Sequence, residues 1–172
     1  MAHVTFKGGV FPHKRKRFTR EKALEEYLPK GDLIYPLRQH IGGTAVPVVA
    51  VGDRVLEGQL LAKASGDISA PVHASVSGTV KAIEPRKTVS GKEILSVVVE
   101  NDGLYEKMPV SEIKPWQELE VGERLRRIQE AGVVGMGGAG FPTHIKLSVR
   151  NPKRIRYVLI NGTECEPYMT SD

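Results

Sequence analysis

Turn-forming residues recur at short intervals through residues 36–102. Turns are indicated at Gly52-Asp53 and Ser77-Gly78, and runs rich in β-branched residues, such as Val46–Val51 and Ile94–Val99, lie between the turns. Short extended segments separated by a turn roughly every 6–12 residues are typical of a small all-β unit. This part of the chain is therefore predicted to fold as a small all-β unit.

A glycine-rich loop is predicted further along the chain. Residues 135–143 are Gly-Met-Gly-Gly-Ala-Gly-Phe-Pro-Thr, with four glycines among the first six residues. Glycine permits positive φ and close approach to the backbone. Proline is accepted in the first turn of a helix, so a helix is expected to begin near Pro142. Free amides at that point, with Lys146 one turn later, would bind the phosphate of a nucleotide or flavin. The alternative is a purely structural turn, because the order G-x-G-G-x-G departs from the dinucleotide fingerprint.

The segments that flank this loop suggest an α/β layer. A helix is predicted from about Val121 to Ala131, ended by Gly132, and a second, short helix from Pro142 to Val149. A strand is then expected over Tyr157–Ile160, followed directly by polar residues. Ligands of open α/β sheets bind at such strand ends. Since one strand cannot make a sheet, either a partner chain completes the sheet or the sequence is a fragment of a longer protein, and we favour the fragment.

Composition excludes several classes of protein. Of the 172 residues, 40% are hydrophobic and 26% charged, as in soluble globular domains, and no apolar run reaches the ~18 residues of a membrane span. The single cysteine, Cys165, excludes internal disulfides and a cysteine-ligated cluster within this segment. The five histidines are dispersed, so no metal site is predicted.

A basic run, Lys14-Arg15-Lys16-Arg17, lies near the N-terminus. Such a run can bind nucleic acid or a membrane surface, or can be a solvated arm. No aromatic residues are interleaved with it as in single-strand binders, so nucleic acid is not expected as a partner.

Four segments follow from these patterns. We predict an extended arm over residues 1–35, a β domain over 36–102, a linker over 103–116, and the start of an α/β domain over 117–172.

The β segment resembles a known fold. Its pattern V-G-D-x-V-x-x-G-Q-x-L over residues 51–61, followed by Ala70-Pro71 and Gly78, is similar to the biotinyl/lipoyl barrel-sandwich hybrid. Carrier domains of that fold present a modified lysine at a hairpin tip, about ten residues after the glycine of G-Q. Here Lys63 comes five residues too early and the hairpin is shortened, with its turn at residues 65–67. A swinging-arm role is therefore disfavoured.

The loop and the predicted strand end resemble a second family. G-x-G-G-A-G-F-P-T and N-G-T-E-C-E-P, at residues 135–143 and 161–167, are similar to motifs of the flavin-binding subunit of complex I and, more closely, of the C subunit of Rnf electron-transport complexes. The resemblance implies an α+β chain: a small all-β barrel-sandwich hybrid followed by the start of an α/β Rossmann-like flavin-binding domain.

The resemblance also implies a function. The chain would be the N-terminal part of the NADH-oxidising, FMN- and iron–sulfur-containing subunit of a membrane-bound, ion-translocating electron-transport complex. That subunit is a peripheral NADH-dehydrogenase-type oxidoreductase on the cytoplasmic face, with two [4Fe–4S] clusters expected downstream of this segment and other complex subunits as partners. The alternative is a non-catalytic module whose β domain and basic arm dock onto complex partners.

Site residues follow from the same motifs. Four glycine amides would line the FMN phosphate or dinucleotide, Lys146 would pair with an anionic group, and Phe141 would stack on a nicotinamide or adenine ring. Asn161 and Glu164 would form hydrogen bonds with flavin or ribose hydroxyls, and Glu166 would lie near the nicotinamide. The cofactor-binding set is Gly135, Gly137, Gly138, Gly140, Phe141, Lys146, Asn161, Glu164 and Glu166. No catalytic side chain is required, because the chemistry belongs to the cofactor.

Three departures from the complex I motif stand at Met136, Thr163 and His144, in place of arginine, aspartate and glycine. Met136 removes one positive charge near the expected phosphates. With the downstream part of the pocket missing as well, the segment alone is expected to bind FMN weakly or not at all.

Overall fold

A four-stranded antiparallel sheet forms the larger layer of the β region. The computed structural model describes residues 13–109, 114–136, 139–160 and 166–170. The strands are β1 (Leu33–Pro36), β3 (Arg54–Val55), β6 (Gly78–Lys87) and β7 (Glu93–Asn101), in the order β1-β7-β6-β3. The long β6–β7 hairpin turns at Gly91, which has a φ of 75°.

A three-stranded sheet forms the second layer. Its strands are β2 (Val46–Pro47), β4 (Leu60–Lys63) and β5 (Val72–His73), in the order β2-β4-β5. Both sheets contribute to one apolar core, since strand residues of β1, β3, β6 and β7 cluster with those of β4 and β5. The core residues are Tyr35, Leu37, Ala45, Val55, Leu61, Ala62, Val72, Ala74, Val76, Val80, Val97 and Val99. The predicted all-β unit is confirmed.

The polypeptide after β7 is fastened to the sheet by polar groups. The buried Ser77 hydroxyl donates to Asp102 Oδ1 at 2.7 Å and accepts the Glu106 N–H at 2.9 Å. The bond from Ser77, together with the Leu104 N–H and the nearby charge of Arg54, holds the pKa of Asp102 below its usual value. Residues 102–106, which include the start of the predicted linker, therefore follow the edge of the sheet.

Two helices follow the β region. Helix α1 (Val121–Glu130) ends in a Schellman motif, in which Gly132 N–H donates to Gln129 O and Val133 N–H donates to Ile128 O. Gly132 has a φ of 70°, so the helix end predicted from this glycine is confirmed. Glu123 and Arg127, four residues apart on this helix, form an ion pair at 3.0 Å. Helix α2 (Thr143–Leu147) is shorter than predicted.

The strand predicted over Tyr157–Ile160 is wrong in this structure. Residues 155–160 have no regular secondary structure, and the side chains of 157–160 are 79–92% exposed. A strand needs a neighbour to satisfy its backbone groups, and no described residue pairs with this segment. The structure therefore contains the β unit and two helices, and a Rossmann-like sheet is not observed in the described residues.

Residues 28–152 form one compact unit, and the chain on either side forms another. In the second unit, a 3-10 helix lies at Lys16–Phe18. Tyr168 N–H donates to Lys14 O at 2.9 Å, and the rings of Phe18 and Tyr168 stack with centroids 6.2 Å apart. The basic arm thus packs on the segment around Tyr168. The domain boundaries predicted from the sequence stay predictions.

Candidate functional site

The glycine loop is closed at its base by main-chain hydrogen bonds. Val134 and Pro142 form an antiparallel bridge, Gly135 N–H donates to Phe141 O at 2.9 Å, and Thr143 N–H donates to Val133 O at 3.0 Å. These bonds hold the two ends of the loop side by side. Gly137 and Gly138 lie outside the described residues.

This closure engages one amide of the predicted anion site. The Gly135 amide already donates to a carbonyl, and so does the Thr143 amide at the start of α2. An N–H spent in this way is not available to a phosphate in the same conformation. The loop and helix therefore offer fewer free amides than the sequence pattern suggested, while the ligand-binding roles of the named residues stay predictions.

Gly140 of the loop and Gly132, which ends α1, face the β unit at distances that leave no room for a Cβ. A Cβ at Gly140 would lie 2.7 Å from Gln39 O and 2.9 Å from His40 Cα, and the φ of this buried glycine is 63°. A Cβ at Gly132 would lie 2.9 Å from Pro71 O. Both positions need glycine for packing against backbone atoms, independently of any ligand.

The two side chains predicted to contact the cofactor from this loop differ in exposure. Lys146 is exposed on α2, and no ion pair to it occurs among the described residues. Phe141 is half-buried. Of the remaining predicted residues, Glu166 is exposed and belongs to the other unit, whereas Asn161 and Glu164 lie outside the described residues.

A buried histidine on α2 was not predicted as part of this region. His144 is 7% exposed, its Nε2 lies 3.3 Å from Asp67 O, and its Nδ1 has no partner in the described part of the chain. Because a carbonyl accepts, Nε2 must carry the proton in this contact. The available signal was the replacement of the complex I glycine by histidine at this position, which gave no indication of burial.

A second histidine fixes the β segments beneath the loop. His40 is 6% exposed, and one neutral tautomer satisfies both ring nitrogens: Nδ1–H donates to Ile41 O at 3.1 Å, and Nε2 accepts the Ala70 N–H at 3.1 Å. The dispersed spacing of the histidines in the sequence could not reveal this role.

A cavity of about 330 Å³ with a mixed polar and apolar lining lies between the loop base and the β unit. Tyr35, His40, His73, Ser75 and Gly132 are among its lining residues. Burial lowers the pKa of His73 from its ordinary value, because the charged imidazolium is poorly solvated there. This lowered pKa favours the neutral form of His73 at neutral pH.

The position of Lys63 argues against a carrier function. Lys63 is exposed at the end of β4 and pairs with Val46 of β2, whereas the hairpin bends at residues 66–68. The lysine lies within a strand, away from the hairpin tip that carrier domains use. Among the described residues, no group of three His, Cys, Asp or Glu side chains is placed to hold a metal ion.

Two family models match the chain. The RnfC barrel sandwich hybrid domain matches residues 4–104, and the Nuo51 FMN-binding domain matches residues 128–172. The first match includes the β unit, and the second covers the last residues of α1, the glycine loop and α2.

Similar proteins support the same assignment. The C subunit of the Na(+)-translocating ferredoxin:NAD(+) oxidoreductase complex of Acetobacterium woodii is 43% identical over 173 residues, covering 99% of this chain and 39% of that protein. The C subunit of the proton-translocating ferredoxin:NAD(+) oxidoreductase complex of Clostridium ljungdahlii is 43% identical over 98% of this chain and 37% of that protein. The C subunit of an ion-translocating oxidoreductase complex of Rhodobacter capsulatus is 39% identical, covering 98% and 33%.

The chain spans about two fifths or less of the length of these curated relatives. The barrel-sandwich match nevertheless covers more than half of the chain. The chain therefore belongs to the RnfC family.

Proposed function

We propose that this chain is the N-terminal part of the NADH-oxidising, FMN- and iron–sulfur-containing subunit of a membrane-bound, ion-translocating electron-transport complex. The observation that carries the proposal is the coincidence of the glycine loop and α2 with the segment that matches an FMN-binding domain, residues 128–172. The names of the similar proteins, which are C subunits of ferredoxin:NAD(+) oxidoreductase complexes, agree with it.

Lys146 is the described residue that best fits an anionic ligand. It stands on α2 directly after the loop, it is exposed, and no carboxylate among the described residues neutralises it. A lysine ammonium at such a position would pair with the FMN phosphate as a point charge. The chemistry of this donor fits the cofactor that the family match implies.

The other predicted residues keep their proposed roles with one amendment. Phosphate-binding amides would come from Gly137 and Gly138, since the Gly135 amide is engaged and Gly140 packs on the β unit. Phe141 would stack on a nicotinamide or adenine ring. Flavin or ribose hydroxyls would be bound by Asn161 and Glu164. Glu166 would lie near the nicotinamide.

The bound flavin would supply hydride acceptance from NADH and single-electron donation to [4Fe–4S] clusters, which we place downstream of these 172 residues. This chain would bind and orient the cofactor. Other subunits of the complex would be its partners, with the chain peripheral on the cytoplasmic face. Within the described ranges, no helix is long and apolar enough to cross a membrane.

The phosphate role can be tested by comparing two flavins. In the full-length protein, Lys146→Gln should raise the Kd for FMN by about tenfold or more, the effect of losing a charged hydrogen bond. Riboflavin, which lacks the phosphate, should bind both proteins equally. Lys92→Gln, at an exposed hairpin lysine, is the matched control. An equal loss of FMN and riboflavin affinity would contradict the phosphate assignment.

The second candidate function is docking without catalysis. The exposed basic residues Lys14, Arg15 and Arg17 favour it, because they present positive charge to a partner surface. NADH:ferricyanide reductase activity of the full-length protein separates the two functions. Loss of activity in folded Gly138→Trp, but not in Gly122→Trp, where a Cβ meets open space, supports flavin binding. Equal activity in both variants supports docking.

A further inference from the structure

The glycine loop and α2 contact the β unit at three separate places. Gly140 faces the backbone of Gln39 and His40, Gly132 faces Pro71 O, and His144 Nε2 reaches Asp67 O at 3.3 Å. Gly132 follows the C-terminal end of α1, Gly140 lies in the loop, and His144 belongs to α2. We call the β-unit residues that meet them, 39–40, 67 and 71–73, the contact surface.

The contact surface is itself held rigidly. His40 joins the backbone at residue 41 to that at residue 70 through both ring nitrogens. The fully buried Ser69 hydroxyl donates to Gly43 O at 2.9 Å and accepts the Ser65 N–H at 3.0 Å. Buried hydrogen-bonded links of this kind fix one arrangement of the segments they join. Movement of the contact surface would therefore break these hydrogen bonds.

The shortened hairpin now has a structural explanation. In the carrier domains that this fold resembles, the hairpin tip displays a modified lysine. Here the tip residue Asp67 offers its carbonyl to the buried His144 of α2. A longer hairpin bearing a side chain at its tip would meet the helix at this point. The hairpin therefore contacts the adjoining helix.

We infer that the barrel-sandwich unit positions the flavin loop: through Gly132, Gly140 and His144, the contact surface sets the conformation in which the loop and Lys146 meet the cofactor phosphate. This inference rests on the proposed function for the identity of the ligand, FMN. It assigns a positioning role to Gly132 and His144, neither of which is expected to touch the cofactor.

Gly132 provides the test, because it precedes the loop in the sequence and is not among the residues proposed to contact the cofactor. In the full-length subunit, Gly132→Ala places a methyl group 2.9 Å from Pro71 O at a φ of 70°. The matched control is Gly91→Ala, which has a φ of 75° and nothing within 4 Å, so it carries the backbone strain without the collision. Both proteins are titrated with FMN, and amide hydrogen exchange is measured over residues 132–147.

Gly132→Ala should raise the FMN Kd by about tenfold relative to Gly91→Ala and should speed exchange in the loop and α2. Exchange in β6 and β7 should stay at the wild-type rate, which shows that the β unit is folded. An FMN Kd equal in the two variants would overturn the inference. If the wild-type protein binds no FMN while the loop exchange still differs between variants, the proposed function fails and the positioning role stands.

His144→Ala is the second variant, for the case in which Gly132→Ala does not fold. Removing the imidazole deletes the contact with Asp67 O, so exchange should rise first in residues 143–147 and the FMN Kd should rise with it. Unchanged exchange in α2 together with an unchanged Kd would overturn the inference. A matched control is His13→Ala, at an exposed histidine outside the β unit.

Discussion

The Ser69 hydroxyl is the connection whose removal should most directly loosen the shortened hairpin. Ser69 is fully buried, donates to Gly43 O and accepts the Ser65 N–H. Ser69→Ala removes both bonds and leaves an N–H and a carbonyl without a partner. An unsatisfied buried group costs about 1–3 kcal/mol. Since both hydrogen bonds are only part-buried, water can solvate the freed groups, and we expect a total loss of about 1–2 kcal/mol.

Urea unfolding followed by circular dichroism measures this loss. The midpoint should fall with the slope unchanged, because the surface exposed on unfolding stays the same. The control is Ser90→Ala, where an exposed hydroxyl contacts Thr88 Oγ1 at 2.9 Å, and its effect should stay below about 0.5 kcal/mol. Equal midpoints for the two alanine variants would refute the argument that the buried hydroxyl holds the hairpin.

Two further outcomes follow from buried polar groups around the cavity. Tyr35→Phe should lower the free energy of unfolding by about 1–3 kcal/mol, because the hydroxyl of the buried Tyr35 accepts the Ser75 N–H at 3.0 Å. An unchanged urea midpoint would show that water takes the place of the lost hydroxyl. His73→Gln should flatten the pH dependence of the free energy of unfolding below about pH 6.5. Because the pKa of His73 is lower in the folded protein than in the unfolded chain, the unfolded chain takes up a proton first as the pH falls. The stability of the wild-type protein is therefore complete above the unfolded pKa and falls as the pH drops below it. Thermal unfolding of both proteins at about pH 7.5 and about pH 5 measures this, and parallel curves would contradict it.

The β unit and the first helix could be predicted because their signals are local. Gly52 and Gly91 adopt φ values of 95° and 75°, conformations that few other residues accept, so the turns between the strands are specified by single residues. The end of α1 is specified in the same way by Gly132. Each of these features is complete within about ten residues of sequence.

The features that the sequence could not predict depend on distant residues. Gly140 and Gln39, which approach each other, are about a hundred residues apart in the sequence. His144 and Asp67 are about eighty residues apart. Tyr157–Ile160 has the composition of a strand, but a ladder requires a neighbouring strand, which no local pattern supplies. Burial of His40 and His144 likewise arises only when the β segments and α2 pack together.

Glycine is required in this loop for two different reasons, packing against the β unit and close approach of a ligand. A sequence motif does not distinguish between them. Gly140 is needed where the loop meets the β unit, because a Cβ there would lie 2.7 Å from a carbonyl oxygen. A Cβ at Gly135 would have no neighbouring atom closer than 3.7 Å, and the Gly135 N–H already has a partner, so neither packing nor its amide explains the glycine. A requirement for glycine at this position is then expected only if a ligand approaches the backbone closely. Gly135→Ala should therefore leave stability nearly unchanged while weakening FMN binding, whereas Gly140→Ala should lower both. Loss of stability in Gly135→Ala equal to that in Gly140→Ala would remove this distinction between packing and ligand glycines.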